Sequence, residues 1–465
     1  MNFNKVDEKV VKRLKEVVGD NYVLTDPEKM ESYSHDEVTG DKYKKMPEVV
    51  VLPANALEIA SIVQLANEKI IPIVPRGAGT GYAASSVPFL GGIVVSTERM
   101  NHILEVDEEN MIMVTEPGVR TGEVQTVAAK HGYLYAGDPC SGDSSFIGGN
   151  VATNAGGNKA VKYGTTRQQV SGIEIVTPKG EITTLGGKLK KDSTGYCLTQ
   201  LMIGSEGTLG IITKVYLKLM PKPKNVMDLL AVFPTSQQAV KAVPKIIHSG
   251  IMPLCVEFMA NNSIKTCENF LQEKLPHSDV GNYIIVSVEG DNEQVLEEQC
   301  MLIDDICSQN KALETLVADS ERIWKARKSF GEADRACSLI FSAEDIVVPP
   351  SQVANMVEKM QIISKKYGIA INCVAHAADG NVHADILKEN MDIEIWNELL
   401  PKLRHEVYTY VYSIGGKLSG EHGIGYKRVH LLEEFANPVE LKMMKAVKKA
   451  LDPNNIMNPG KVIQI

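Results

Sequence analysis

Pro75-Arg76-Gly77-Ala78-Gly79-Thr80-Gly81 follows a β-rich run, Ile70 to Val74, and alternates glycine with small residues. Glycines let a backbone approach phosphate closely, and the exposed N–H groups of such a loop bind an anion. The spacing also suggests a Rossmann fingerprint, but that motif opens a helix at its glycines. Here Tyr82 to Pro88 has no helical apolar pattern and ends in proline, so the Rossmann reading fails. Taken alone, the loop reads as an ordinary glycine turn.

Two further segments change that reading. Ile147-Gly148-Gly149-Asn150-Val151-Ala152-Thr153-Asn154-Ala155-Gly156-Gly157 adds close-approach glycines and two asparagines, and Gly204-Ser205-Glu206-Gly207-Thr208-Leu209-Gly210-Ile211-Ile212 adds a third such loop. Around them the pattern alternates. Val6 to Val18 is helical in spacing with Gly19 as its stop, Glu48 to Leu52 is a strand, and Asn55 to Lys69 a helix. Ile93 to Ser96 and Met111 to Thr115 are strands, Gly122 to Lys130 a helix. From Gly137 to Gly164 no period survives, and a long irregular stretch inside a domain is usually functional. Strands return at Gly172 to Val176, Glu181 to Thr184 and Leu209 to Leu219, the last of this half. Pro221-Lys222-Pro223-Lys224 reads as a linker.

Together the three glycine segments resemble the FAD-binding domain of the vanillyl-alcohol oxidase or p-cresol methylhydroxylase (PCMH) type, over roughly residues 45 to 222. The resemblance implies FAD contacts at Arg76, Gly77, Gly79, Thr80, Gly81, Pro139, Ser145, Gly148, Thr153, Asn154, Gly157 and Ile212. Some members hold the flavin covalently through His or Cys. The pyrophosphate loop here has no His, and Cys140 is read as a packed thiol, so noncovalent FAD is expected.

Beyond the linker, strands at Leu229 to Phe233, Tyr283 to Glu289 and Ile369 to Val374 alternate with helices, one capped by Thr235 and running toward Ser249, one running toward Cys307, and one at Val353 to Tyr367. This predicts an α+β domain with helices on one face of a sheet, then a mostly helical end from about Ile393. His376-Ala377-Ala378-Asp379-Gly380-Asn381-Val382-His383 brings two imidazoles together if the chain reverses at Asp-Gly-Asn. That pair alone fits buried, satisfied histidines as well as ligands. Glu421 and His422 lie side by side between Gly420 and Gly423, which suggests a tight, special backbone. Two His and one carboxylate would leave coordination positions open for a substrate, and an adjacent His could act as a base near neutral pH.

These motifs resemble the C-terminal domain of the flavin-linked D-2-hydroxy-acid dehydrogenases, which include D-lactate and D-2-hydroxyglutarate dehydrogenases and the D subunit of glycolate oxidase. The resemblance implies His376, His383 and Glu421 as ligands of a divalent metal, Zn2+ or Fe2+, and His422 as the catalytic base. It implies Arg327, in Trp324-Lys325-Ala326-Arg327-Lys328, as the partner of the substrate carboxylate, and Asn458, in Asn458-Pro459-Gly460-Lys461, near the flavin. This chain has Ala378 where the family motif has glycine. The lysine that larger-substrate relatives use is absent from Phe341-Ser342-Ala343-Glu344-Asp345, which favours lactate or glycolate over 2-hydroxyglutarate.

The bulk numbers agree. Lys plus Arg is 49 and Asp plus Glu is 58, a net charge of −9, which argues against nucleic acid as the main partner. Residues 1–10 lack an apolar core and no run of 18 apolar residues occurs, so neither a signal peptide nor a membrane span is expected. The 8 cysteines have no Cys-x-x-Cys pair and read as reduced, packed thiols of a cytoplasmic protein. The expected architecture is an α+β chain: an N-terminal helical segment (1–44), a PCMH-type FAD-binding domain (45–222), an α+β substrate-binding cap domain (228–420), and a helical C-terminal segment closing on the flavin (421–465). The expected activity is oxidation of a small 2-hydroxy acid, D-lactate first, with electrons passed to a partner such as an electron-transfer flavoprotein. A glycolate oxidase D subunit, a non-catalytic FAD electron-relay subunit and a non-redox ether-lipid synthase are the competing readings.

Overall fold

In the computed structural model, which describes residues 3–465, the run around Pro75 is the strand Ile73–Arg76, with the glycine loop leaving its end without forming a helix. Ile73–Arg76 pairs in parallel with Ile93–Ser96, which pairs in parallel with Val49–Val51; Val23–Leu24 completes this four-stranded sheet. The helix Ala56–Lys69 connects two of its strands. It is started by a reciprocal cap: Glu58 N–H donates to Asn55 Oδ1 (3.0 Å) and Ala54 N–H to Glu58 Oε2 (2.7 Å). The helix Glu8–Val18, capped by Asp7, buries Val10, Leu14 and Val18 in the same core as Ile59, Ile62 and Val63.

A second, five-stranded antiparallel sheet follows, in the order Ile103–Asp107, Ile112–Thr115, Ile211–Lys218, Val170–Val176, Ile182–Gly186. The stretch expected to be irregular contains the short helix Ile147–Thr153, because Ile147 and Val151 bury into this sheet's core and override the poor helix propensity of Gly148 and Gly149. Asn154 ends it in the left-handed region at φ 55°. Met220–Pro221 also pairs with Tyr133–Leu134, so Leu219 does not close the half and Pro221 is not linker.

The chain divides into two units. The first holds residues up to Gly156, Gly164–Lys222 and Glu421–Ile465; the second holds Gly157–Tyr163 and Pro223–Gly420. The N- and C-terminal segments therefore join the glycine-loop domain. The C-terminal segment does so through backbone: Ile73 N–H donates to Ile456 O (2.7 Å) and Asn458 N–H to Ile73 O (2.7 Å).

The second unit is built on a seven-stranded, fully antiparallel sheet. Its order is Glu314–Val317, Asn225–Phe233, Asn282–Gly290, Cys255–Met259, Ile371–His376, Asn381–Leu387, Phe341–Val347. Helices cover both faces, not one. Asn261–Leu271, Ser320–Lys328 and Phe330–Cys337 pack on the face carrying Leu230, Ile285, Met259 and Val374. On the other face, Arg404 and Tyr408 of the helix Ile393–Ser413 reach Glu344. The reason is legible in the strands: Val256, Phe258 and Met259, like Ile284, Ile285 and Val286, are all buried, and a strand apolar on both sides needs both sides covered.

Candidate functional site

In the first unit the glycine segments line one cleft, with an empty volume of about 1340 Å³ that includes its open mouth. Of the residues expected to touch FAD, Arg76, Gly77, Gly79, Thr80 and Gly81 line it from the first loop. Pro139, Ser145, Gly148 and Thr153 line it from the second segment and Ile212 from the third. Asn154, Gly157 and Asn458 do not. Asn154 Oδ1 accepts from Thr165 Oγ1 and Arg167 N–H (both 2.9 Å), so it serves the turn after its helix. Asn458 Nδ2 donates to Ser85 O (2.9 Å) and Glu206 O (2.7 Å), tying the C-terminal segment to two loops of the cleft. Arg76 lines the cleft, but its guanidinium donates to His35 O, Ser86 Oγ and Ser32 O, bracing the N-terminal segment. Cys140 is not packed: it is exposed and lines the cleft, and Cys197 and Cys337 are exposed too.

The cleft suits a dinucleotide. A Cβ on Gly149 would meet no atom within 4 Å and would occupy the cleft instead. Asp36 Oδ2 is buried on the same wall without a hydrogen-bond partner; burial raises its carboxyl to about 6 despite Arg76 nearby. FAD, rich in hydroxyl and N–H donors, offers what such an oxygen lacks.

Glu421 and His422 are on the wall of this cleft, with the His422 ring stacked on Tyr82 at 5.1 Å between centroids. Gly156 is what makes room for Glu421: a Cβ there would lie 2.5 Å from Glu421 Oε1. The loop that follows hangs on Glu206, which sequence reasoning missed. Its Oε1 accepts from Ile424 N–H (2.7 Å), and its Oε2 from Gly425 N–H (2.9 Å) and Ser85 Oγ (2.5 Å). Burial pushes the Glu206 carboxyl above the usual range, against the pull of these donors and of Arg428. Gly423, at φ 80°, would put a Cβ 2.7 Å from Glu206 Oε1, so only glycine fits this turn. The signal in the sequence was a lone acid inside a glycine loop, without any hint of its partners.

In the second unit His376 ends one strand and His383 lies on the next. The chain reverses over Ala377 to Gly380, and His376 pairs with Asn381 in register. The two rings stand perpendicular with centroids 5.2 Å apart. Ala378 is buried without a positive φ, so alanine is no strain where the family has glycine. His383 Nδ1 lies 3.9 Å from Asp345 Oδ1, and Asp345 accepts from Asn381 Nδ2 (2.8 Å) and Ser419 Oγ (2.5 Å). Arg327 is buried against Glu257, with Nε at 2.9 Å and a terminal nitrogen at 2.8 Å from Oε2, while Glu257 Oε1 meets His376 Nδ1 at 2.7 Å. Burial alone would raise the Glu257 carboxyl; His376 and Arg327 outweigh it and hold it low. Glu257 was also missed, although an acid within Cys255-Val256-Glu257-Phe258-Met259 is an anomaly a reader can see. Among the described residues, no helix is long and apolar enough to cross a membrane.

Comparison with known proteins agrees with this construction. Residues 222–462 match the family model for FAD linked oxidases, C-terminal domain, and residues 47–186 the model for an FAD binding domain. The chain is 35% identical to a D-lactate dehydrogenase of Anaerostipes hadrus (99% of this chain, 98% of the relative) and 37% identical to the glycolate oxidase subunit GlcD of Bacillus subtilis (92% and 91%). It is 32% identical to a D-2-hydroxyglutarate dehydrogenase of Stutzerimonas stutzeri (98% and 99%). In fold it resembles p-cresol methylhydroxylase, with a TM-score of 0.82 at 18% identity over 98% of this chain and 96% of that one. It also resembles alkyldihydroxyacetonephosphate synthase, with a TM-score of 0.76 at 22% identity over 99% and 86%. With a glycine-lined cleft shaped for a dinucleotide, and family models matched on both sides of residue 222, this chain belongs to the FAD-linked oxidases.

Proposed function

We propose that this enzyme oxidises a small D-2-hydroxy acid, D-lactate first, to the 2-oxo acid, and passes the electrons to a partner protein such as an electron-transfer flavoprotein. The observation that carries the reading is His422, an imidazole on the wall of the flavin cleft next to Glu421 and stacked on Tyr82. Full-length similarity to relatives named for D-lactate and for glycolate supports the substrate class. The stretch Phe341-Ser342-Ala343-Glu344-Asp345 lacks the lysine that larger-substrate relatives carry there, which supports a substrate with one carboxylate.

His422 takes the proton of the substrate 2-hydroxyl, worth roughly 10²–10⁴-fold as general-base catalysis. Arg327 binds the substrate carboxylate and sets the orientation of C2. Its Nε donates to Glu257 Oε2 and a terminal nitrogen lies 2.8 Å from the same oxygen, while a guanidinium carries five N–H donors. FAD, held noncovalently, supplies a two-electron acceptor for the hydrogen at C2. His376, His383 and Glu421 would hold a divalent metal, which supplies Lewis-acid polarisation of the hydroxyl. Two perpendicular imidazoles on adjacent strands with carboxylates close by suit such an ion.

The test is anaerobic flavin reduction with a panel of D- and L-2-hydroxy acids, including lactate, glycolate and 2-hydroxyglutarate. Rapid bleaching by D-lactate is expected. No bleaching by any of them would overturn the reading in favour of an electron-relay subunit. The spectrum of the supernatant after acid precipitation reports whether the flavin is free, as expected, or bound to Cys140.

A further inference from the structure

Glu257 is a buried carboxylate to which the chemistry proposed above gives no task. Glu257 is 0% exposed, in mid-strand between Val256 and Phe258. An acid so placed is costly unless its charge and lone pairs are met. Both of its oxygens are engaged, and by two residues of the proposed site. Sheet register sets Glu257 directly opposite His376, with Oε1 2.7 Å from Nδ1. Arg327 descends from the helix Ser320–Lys328 onto Oε2.

A carboxylate only accepts. His376 therefore carries a proton on Nδ1, because the reverse tautomer would set two lone pairs against each other at 2.7 Å. In the neutral ring Nε2 then presents a lone pair. That is the arrangement in which an imidazole ligates a metal through Nε2 while its other nitrogen is held by an acid.

We infer that Glu257 is the positioning residue of this site: it fixes His376 with the proton on Nδ1 and Nε2 as the ligating nitrogen, and ties that ring to Arg327. The inference rests on the reading of His376 as a metal ligand and Arg327 as the substrate's carboxylate partner. Its consequence is specific. In Glu257→Gln the arginine draws the amide oxygen, so the amide NH2 faces His376 Nδ1. The imidazole must then accept at Nδ1 and carry its proton on Nε2, which blocks ligation. Removing the arginine's pull in Glu257→Gln/Arg327→Met lets the amide turn round and restores the original tautomer.

The experiment uses FAD-loaded enzyme with 15N-labelled histidine, the His376 signals being assigned by their loss in His376→Gln. The expected wild-type pattern has hydrogen on Nδ1. In parallel, Zn2+ affinity is titrated against a chromophoric chelator. Glu257→Gln should bind Zn2+ about 10–100-fold more weakly with unchanged flavin content, and the double variant should recover part of the loss. A wild-type proton on Nε2, or wild-type Zn2+ affinity in Glu257→Gln, overturns the inference. Wild-type enzyme that binds no Zn2+ but shows the Nδ1 proton removes the metal reading and leaves the positioning of His376 in place. If Glu257→Gln does not fold, the wild-type spectrum still decides.

Discussion

Glu206→Gln is the sharpest test of how the His422 loop is held. Three donors converge on the two oxygens of Glu206: Ile424 N–H, Gly425 N–H and Ser85 Oγ. Ser85 can rotate its hydroxyl and accept from an amide NH2, but a backbone N–H cannot reverse. Whichever way the new amide turns, one backbone donor faces another donor. A buried donor left unsatisfied costs about 1–3 kcal/mol, and the surviving bonds weaken as the charge is removed. The total is about 2–4 kcal/mol. For a unit of this size that lowers its Tm by roughly 5–10 °C. The loop carries His422 two residues before Ile424, and a displacement of about 1 Å at a reacting group can cost on the order of 10²-fold. Differential scanning calorimetry reads the first effect, and stopped-flow anaerobic flavin reduction the second. Ser85→Ala, which removes one adaptable donor, is the control and should lose less of both. A Tm within about 1 °C of wild type together with an unchanged reduction rate would refute the reasoning.

Gly156→Ala should retain FAD but slow flavin reduction markedly, because the new methyl lies 2.5–2.8 Å from three atoms of the Glu421 side chain; overpacking of this kind costs about 1–3 kcal/mol, and a wild-type rate would show that Glu421 has room to move. His422→Ala should keep a normal flavin spectrum and lose roughly 10²–10⁴-fold in the reductive half-reaction, and near-normal reduction would remove it as the base. Glu406 is held down at about 2 by hydrogen bonds from Lys366 and Lys359. A carboxyl lower in the folded than in the unfolded chain stabilises above its unfolded value, about 4.3, and that stabilisation fades as pH falls toward 2. The Tm difference between wild type and Glu406→Gln should therefore narrow between pH 6 and pH 3, and a constant difference would show that the pairing with the two lysines does not matter.

Much of the scaffold was written in neighbouring residues. Periodicity and caps marked the helices Glu8–Val18, Ala56–Lys69 and Val353–Tyr367, and apolar runs marked most strands. The three glycine segments pointed to the cleft only together, through their resemblance to an FAD-binding domain, since the first alone reads as an ordinary turn. The hairpin joining His376 to His383 followed from the turn chemistry of Asp379-Gly380. What only the tertiary structure decided is which distant groups share a charge or a hydrogen bond. Glu257 finds His376 at 119 residues' remove, and Glu206 finds Ile424 at 218. The helix Ile147–Thr153 forms against local propensity because a sheet core accepts Ile147 and Val151. A buried acid in an apolar strand or a glycine loop is visible in the sequence as an anomaly, but its partner is chosen by register and packing, and neither is a local property of the chain.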